Sequence, residues 1–147
     1  MSFSDIYHPR VLELAADIAH VGRLATPHGS ATKVSKLCGS VVTVDVTMDG
    51  DRIADFAIDP KACALGQASA SVLAAHAIGA SASEIETARE GMRAMLKEAG
   101  PAPQGRFWEL RHLEGVRDYP ARHASTLLAF DAAIAAIEAA RKKAPAG

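Results

Sequence analysis

The stretch VVTVDVTMDGDRIADFAI, residues 41–58, constrains the fold of this chain more than any other. Its first half alternates between apolar and polar residues, which is the period of a β-strand with one buried face. The Asp-Gly pair at residues 49–50 indicates a tight turn, and residues 53–58 form the return strand of an antiparallel hairpin. The residues predicted to face the core are Val42, Val44, Val46 and Met48 on the first strand, and Ala54, Phe56 and Ile58 on the second.

Segments with helical periodicity flank this hairpin on both sides. One of them begins with Ser83 and Glu86, which fit the capping box of a helix N-terminus. Because strands and helices are segregated along the chain, we expect an α+β fold in which a small antiparallel sheet of about three strands packs against helices on one face. The other predicted elements are a helix at residues 9–21 ended by Gly22, a short strand at 33–37, helices at 65–78, 83–97 and 121–142, and a short helix plus loop at 106–120.

Length and charge narrow the classes of protein to which the chain can belong. Its 147 residues are typical of one domain, so we expect a single domain over residues 1–147. The formal net charge of −1 provides no basic field for nucleic acid or an anionic membrane. The start MSFSDIYHPR is unlike a signal peptide, and no apolar run approaches the ~18–20 residues of a membrane span. The sequence therefore predicts a cytoplasmic protein that binds neither nucleic acid nor membrane.

The two cysteines, Cys38 and Cys63, bracket the predicted hairpin. The two ends of a hairpin lie side by side, with strands ~4.8 Å apart, so the pattern brings the two sulfurs near one another. Cys63 also precedes a helix N-terminus, which favours the thiolate, the form that binds soft metals and attacks sulfur. The pattern alone leaves a second interpretation open, in which both cysteines are reduced and packed as small hydrophobic residues.

Two thiolates do not complete a metal site, because zinc takes ~4 ligands and histidine is the usual complement. Of the six histidines, His28 is near Cys38 in the sequence and His123 opens the last predicted helix, within RDYPARHAST. The chain contains no phosphate-binding loop, dinucleotide-binding glycine motif, serine-hydrolase elbow or HExxH zinc motif. A nucleophilic pair of Cys63 and His123 is a further alternative, but no oxyanion or substrate pocket can be recognised in the sequence.

The order of these features resembles a known family. A first helix, Cys-Gly before a long strand, Asp-Gly at the turn, Cys63 before a Ser/Ala-rich helix and LEGVRDYPARHASTL at residues 113–127 follow one another. Over roughly residues 11–140 the chain resembles the IscU/NifU-type iron–sulfur cluster assembly scaffolds. The long interval between Cys63 and His123 resembles the insertion that marks the SufU-like branch. This resemblance implies a SufE/NifU-like fold.

The chain departs from the pattern of this family at two ligand positions. Where the family has Cys-Gly-Asp, this chain has Cys-Gly-Ser, so that Ser40 replaces a carboxylate. Where IscU-like members have His-Cys-Ser, this chain has His-Ala-Ser, so that Ala124 replaces the third cysteine. The resemblance therefore implies a metal set of Cys38, Cys63 and His123, with Ser40 as an auxiliary ligand at the family position. Arg122 is expected to orient the imidazole of His123.

The resemblance implies an iron–sulfur cluster assembly scaffold, or a zinc-dependent sulfur carrier, that accepts sulfur from a cysteine desulfurase. The bound species would be zinc or a labile iron–sulfur cluster, passed on to recipient apo-proteins. Such a carrier has no catalytic residues or turnover of its own, and is a monomer or a weak homo-oligomer. The alternative is a divergent, non-catalytic paralogue that acts as a protein-binding or regulatory module, with Cys38 and Cys63 as structural residues.

Overall fold

A three-stranded antiparallel sheet in the order β1-β2-β3 forms one layer of the fold. The computed structural model describes residues 8–37 and 39–143, so Cys38 lies outside the described residues. The elements are α1 (Pro9–Ala16), β1 (Gly29–Ser35), β2 (Ser40–Asp49), β3 (Arg52–Lys61), α2 (Ala64–His76), α3 (Ala82–Lys97), a long 3₁₀ helix (Gly105–Asp118), a 3₁₀ turn (Pro120–Arg122) and α4 (His123–Lys143).

The predicted hairpin is β2 and β3, and its first strand has the expected buried face. Val42, Val44 and Val46 are all at most 1% exposed. On β3 a bulge opposite Thr47 and Met48 shifts the register, because Thr47 pairs with Asp55 whereas Met48 pairs with Ile53. The prediction that Ala54 shares the face of Phe56 and Ile58 is therefore wrong: Ala54 is exposed, and Ile53 takes the core position.

The helices pack as a second layer. The helix α4 lies across β1 and β2, α2 contacts both β3 and α4, and α1 and α3 pack against α2 and α4 respectively. This arrangement confirms the predicted α+β fold. Because β2 and β3 form a hairpin, Val41 lies opposite Lys61, and the chain enters β2 and leaves β3 at the same end of the sheet. The candidate site is at this end.

Several helix boundaries differ from the sequence prediction, most of them by one or two residues, and those of α1 and α3 show why. The helix α1 ends at Ala16, because residues 20–22 pair instead with the outer edge of β3, where the Gly22 N–H donates to the Ile58 carbonyl at 2.9 Å. The capping box of α3 is formed by Ser81 and Glu84, two residues before the predicted pair. The early end of α1 comes from contacts with the sheet that helical periodicity does not contain, whereas Ser81 and Glu84 have the same Ser-x-x-Glu spacing as the predicted pair.

The segment predicted as a short helix plus loop is 3₁₀-helical from Gly105 to Asp118, in two helices joined by a kink at Phe107. Its buried residues recur every third position, which matches the three residues per turn of a 3₁₀ helix. This face packs against α2 and α3. The buried residues are Phe107, Leu110, Leu113 and Val116.

The last helix is apolar enough to raise the question of a membrane. Within residues 8–37 and 39–143, Pro120–Lys143 is the one helical stretch that passes a test of length and hydropathy for a span, contrary to the expectation that none would. However, 67% of its apolar window is buried in the fold. The helix therefore has the burial of a core helix.

Ser69, in the middle of α2, is fully buried, and its hydroxyl has no hydrogen-bond partner among the described residues. We expect Ser69→Ala to leave the free energy of unfolding unchanged or to raise it by about 1 kcal/mol, since it removes an unsatisfied polar group. The matched control is Ser71→Ala, which removes a 3.0 Å hydrogen bond from Ser71 Oγ to the Asp17 carbonyl and should cost about 1 kcal/mol. Urea unfolding measures both, and a clear loss of stability in Ser69→Ala would contradict the prediction.

Candidate functional site

Cys63 lies where β3 ends and α2 begins. It is the N-cap residue of α2, with extended backbone angles, and its carbonyl accepts the N–H of Gln67 at 2.8 Å. The side chain is a half-buried free thiol. The predicted position of Cys63 just before a helix is therefore confirmed, and its sulfur is adjacent to unpaired backbone N–H groups of the first helical turn.

The hydroxyl of Ser125 forms a hydrogen bond with this thiol, with 3.2 Å between Cys63 Sγ and Ser125 Oγ. These residues are 62 positions apart and meet because α2 and α4 pack closely at their N-termini. The close packing depends on Gly66, since a Cβ there would lie 2.8 Å from Ala62 Cβ and 3.2 Å from the Ser125 carbonyl oxygen. The contact between Cys63 and Ser125 is therefore set by the interface between the two helices.

The surroundings of Cys63 favour its thiolate. Burial alone raises the pKa of the Cys63 thiol, but the Ser125 hydroxyl, the N–H groups of Gly66 and Leu65 and the Arg122 guanidinium together bring this pKa below its usual range. The sulfur forms no regular capping hydrogen bond with α2, so the two N–H groups act mainly through their electrostatic field. A half-exposed thiol of lowered pKa can act as a nucleophile toward sulfur or as a ligand for a soft metal.

His123 opens α4, as predicted, and is 5% exposed. Its Nε2 lies 3.0 Å from the Val116 carbonyl oxygen and 3.1 Å from that of Arg117. A ring nitrogen facing two carbonyl oxygens must carry the hydrogen, which leaves the lone pair of the neutral ring on Nδ1. This is the arrangement typical of a histidine that ligates a metal through its other nitrogen. The role of His123 as a ligand stays a prediction.

The structure brings together only some of the other predicted site residues. Ser40 is the first residue of β2, is 3% exposed and pairs in register with Ser35. The predicted approach of Cys38 to Cys63 falls outside the described residues. The Arg122 guanidinium helps to lower the pKa of the Cys63 thiol, and two backbone carbonyls hold the His123 ring. The predicted role of Arg122 in orienting the His123 ring is therefore still untested.

The described residues alone supply few side chains that could bind a metal ion. Over residues 8–37 and 39–143, no group of three or more His, Cys, Asp or Glu side chains is arranged to hold a metal ion. The thiolate of Cys63 and Nδ1 of His123 are donors that suit zinc or iron, so the residues present fit such an ion as part of a larger set.

Sequence reasoning missed Ser125 as the hydrogen-bond partner of the Cys63 sulfur. Ser125 was visible in RDYPARHAST, but nothing in its spacing pointed to a cysteine more than fifty residues earlier. Only the packing of α2 on α4 brings it to the sulfur.

Comparison with known proteins gives consistent results. Residues 6–144 match the family described as NifU-like N terminal domain. The iron–sulfur cluster assembly scaffold protein IscU of Streptococcus pyogenes serotype M1 is 30% identical over 101 residues. This aligned region spans 69% of this chain but only 64% of that protein, which is less than two thirds of its length.

Two solved structures are similar over most of the chain. An N-terminal nitrogen-fixing NifU-like protein from Brucella abortus is 54% identical, with a TM-score of 0.93 over 96% of this chain and 98% of that one. A candidate scaffold protein for the SUF system from Fervidobacterium islandicum is 22% identical, with a TM-score of 0.80 over 89% of this chain and 96% of that one. The second likeness shows a shared fold, and the first supports the predicted small sheet with helices in the same arrangement.

Proposed function

Because the chain belongs to the NifU-like N-terminal domain family, the family of the IscU, NifU and SufU iron–sulfur cluster assembly scaffolds, we propose that it accepts sulfur from a cysteine desulfurase at Cys63. The resemblance predicted from the sequence is thereby confirmed at the level of the family. The proposed protein is a carrier without turnover of its own, formed by one domain over residues 1–147 and active in the cytoplasm.

The single observation that supports sulfur acceptance is the environment of Cys63. The Ser125 hydroxyl lies 3.2 Å from its half-exposed sulfur, and this hydroxyl, the N–H groups at the start of α2 and the Arg122 guanidinium all lower the pKa of the thiol and so favour the thiolate. The Cys63 thiolate attacks the terminal sulfur of a persulfide on the desulfurase. The sulfur–sulfur bond of the donor breaks, the donor cysteine leaves as a thiolate, and Cys63 keeps the transferred sulfur as a persulfide. No external oxidant or reductant is needed, because one persulfide replaces another.

We further propose that Cys38, Cys63 and His123, with Ser40 as an auxiliary ligand, hold zinc or the nascent iron–sulfur cluster that is the cargo of the scaffold. The ring of His123 supports this assignment, since its Nε2 hydrogen is engaged by two carbonyls and its Nδ1 keeps a lone pair. The two thiolates and His123 would fill three positions of a bound zinc ion and leave the fourth for Ser40, for sulfur or for a partner's ligand. Ser40 and Ala124 stand where the family has a carboxylate and a thiolate, so the site would release its cargo readily to recipient apo-proteins.

The direct test uses the full chain, a cysteine desulfurase and cysteine labelled with ³⁵S, analysed under non-reducing conditions. We expect the wild-type chain to acquire label that a thiol reductant removes, and Cys63→Ala to acquire almost none. The matched control is Cys38→Ala, which should keep most of the label because Cys63 is intact. Label that persists in Cys63→Ala and disappears in Cys38→Ala would contradict the assignment.

The alternative of a protein-binding module with structural cysteines predicts a different set of results. In that case the wild-type chain takes no label, and protein purified without chelator contains neither zinc nor iron. A chelator would also leave its melting temperature unchanged, because no bound metal would be there to stabilise the folded state.

A further inference from the structure

The outer face of the sheet, away from the core, is open at the end where the candidate site lies. Val34, Val41 and Lys61 are directly opposite one another on β1, β2 and β3, so their side chains form one row across the sheet. The buried Val42 follows Val41 and therefore points to the other face. Because Val34 is 55% exposed and Lys61 is exposed, this row faces solvent.

The open row lies next to the cysteine that the carrier function requires. Cys63 follows Lys61 by two residues, and the turn between β1 and β2 is at the same end of the sheet. Leu37 belongs to this turn and is 71% exposed, more than any other large apolar side chain of residues 8–37 and 39–143. Two aliphatic side chains, Val34 and Leu37, are therefore exposed at the end of the sheet that carries Cys63.

Three lysines accompany these aliphatic side chains. Lys33 and Lys36 each precede one of them in the sequence Lys-Val-Ser-Lys-Leu, and Lys61 ends the open row. All three are exposed, and none of them forms an ion pair with Asp or Glu in the part of the chain that the structure describes. The carboxylate of Asp59 belongs to the next row, farther along β3. This end of the sheet is therefore basic, although the formal net charge of the chain is −1.

Direct transfer of sulfur between two proteins requires contact between their surfaces. The donor persulfide and the acceptor thiol are both on short side chains, and the two sulfurs must come within bonding distance. A standard interface buries about 800 Å² of each partner, which corresponds to a patch of about 16 Å radius. Since neighbouring strands are ~4.8 Å apart, Val34 is about 10 Å from Lys61 and lies inside such a patch.

We propose that this open end of the sheet is the surface on which the cysteine desulfurase docks. It consists of Val34, Leu37, Lys33, Lys36 and Lys61. The partner surface has an apolar centre that covers the two aliphatic side chains and acidic side chains that face the lysines. The opposite charges speed the encounter, and the apolar contact slows dissociation. This inference rests on the proposed sulfur-carrier function and adds the docking surface and the chemistry of the partner.

The first test reverses charges and follows the transfer of ³⁵S from the desulfurase at ~50 mM salt. The combined variant Lys36→Glu with Lys61→Glu should accept sulfur about tenfold more slowly than wild type. The matched control is Lys142→Glu with Lys143→Glu, which makes the same change of charge at the far end of α4 and should stay within about twofold of wild type. At about 0.5 M salt the defect should disappear, because charges are then screened beyond about 4 Å.

The second test removes apolar surface. Leu37→Ser should lower the rate of transfer from the desulfurase about tenfold at both salt concentrations, because loss of apolar contact is not screened by salt. The matched control is Leu12→Ser, which makes the same change at a side chain of α1 that is 49% exposed. This control should stay within about twofold of wild type.

A third measurement uses glutathione persulfide, a sulfur donor that needs no docking surface. It is made at about 0.5 M salt, which screens the charge of this small anion. All variants should accept sulfur from it within about twofold of the wild-type rate, because Cys63 itself is unchanged. Melting temperatures of all variants show whether they are folded.

The outcomes separate this inference from the proposed function. If wild type accepts sulfur from the desulfurase and both the lysine variant and Leu37→Ser match it, the docking surface is wrong and the carrier function stands. Equal defects with both donors, equal defects in the control variants, or faster transfer to the lysine variant would also overturn the inference. If wild type accepts sulfur from neither donor, the carrier function itself fails.

Discussion

Gly29→Ala is expected to unfold the chain or to lower its free energy of unfolding by at least about 3 kcal/mol, because no space exists for the added methyl group. Gly29 is the buried first residue of β1. A Cβ there would overlap the carbonyl oxygen of Ala136 and the amide nitrogen of Ala140, and would lie 2.9 Å from Ala140 Cα. These are backbone atoms of α4, which cannot move without shifting the helix from the sheet.

The matched control for this prediction is Gly91→Ala. Gly91 is inside α3, and its nearest neighbours would be side-chain and Cα atoms of Pro103 at 3.4 Å or more, which is ordinary contact. Alanine favours a helix over glycine by about 1 kcal/mol, so Gly91→Ala should be neutral or stabilising. Urea unfolding followed by far-ultraviolet circular dichroism measures both variants. A Gly29→Ala protein as stable as wild type would show that β1 and α4 are not in such close contact.

The close contact at Gly29 depends on tertiary packing, which local sequence patterns do not reveal. Alternation and the Asp-Gly turn were enough to predict the β2-β3 hairpin, because strand period and turn chemistry are local. The bulge that exposes Ala54 and the early end of α1 were missed, because both depend on pairing with β3. The three-residue period from Phe107 to Val116 was present in the sequence, but a 3₁₀ helix of that length is uncommon and was not expected.

The same distinction between local signals and tertiary packing applies to the candidate site. The position of Cys63 before a helix and of His123 at the start of another follows from local signals, and both were predicted. The partners of the sulfur were missed, because Ser125 reaches Cys63 only where Gly66 lets α2 approach α4. Family likeness indicated which residues to consider as candidate ligands, whereas the chemistry around the sulfur depends on how two distant helices pack.

Asp45→Asn is expected to lower the free energy of unfolding by about 3 kcal/mol at pH 7, because it disrupts the hydrogen bonds of a buried carboxylate to a partly exposed arginine and its neighbours. Asp45 alternates with the core-facing valines of β2, which predicts an outer, exposed position, but its side chain is fully buried beneath the segment that follows α1. It accepts hydrogen bonds from Arg23 Nε at 2.7 Å and Nη2 at 3.0 Å, from Ser30 Oγ at 2.6 Å and from the Leu24 N–H at 3.0 Å. An amide cannot accept all four, and it leaves Arg23 without its counter-charge.

The stabilisation by Asp45 depends on pH in a defined direction. Burial alone raises the pKa of this carboxyl, but the hydrogen bonds from Arg23, Ser30 and Leu24 and the charge of Arg23 bring the pKa in the folded state below its ordinary value. A group whose pKa is depressed by folding stabilises the protein above its unfolded pKa of about 3.9, and this contribution is lost as the pH falls through the folded pKa. The difference between wild type and Asp45→Asn should therefore be constant above about pH 5 and shrink below about pH 4.

Urea unfolding at a series of pH values from 7 to 3 measures this difference, with Asp49→Asn as the control. Asp49 is exposed at the end of β2, so its replacement should change stability by less than about 0.5 kcal/mol. An Asp45→Asn protein as stable as wild type at pH 7, or a difference that stays the same at pH 3, would contradict the prediction. The expected pH dependence requires that the Asp45 carboxyl be ionised in the folded state. It also requires that Asp45 hold the segment of Arg23 and Leu24 against the outer face of the sheet, a face that strand alternation alone predicts to be exposed to solvent.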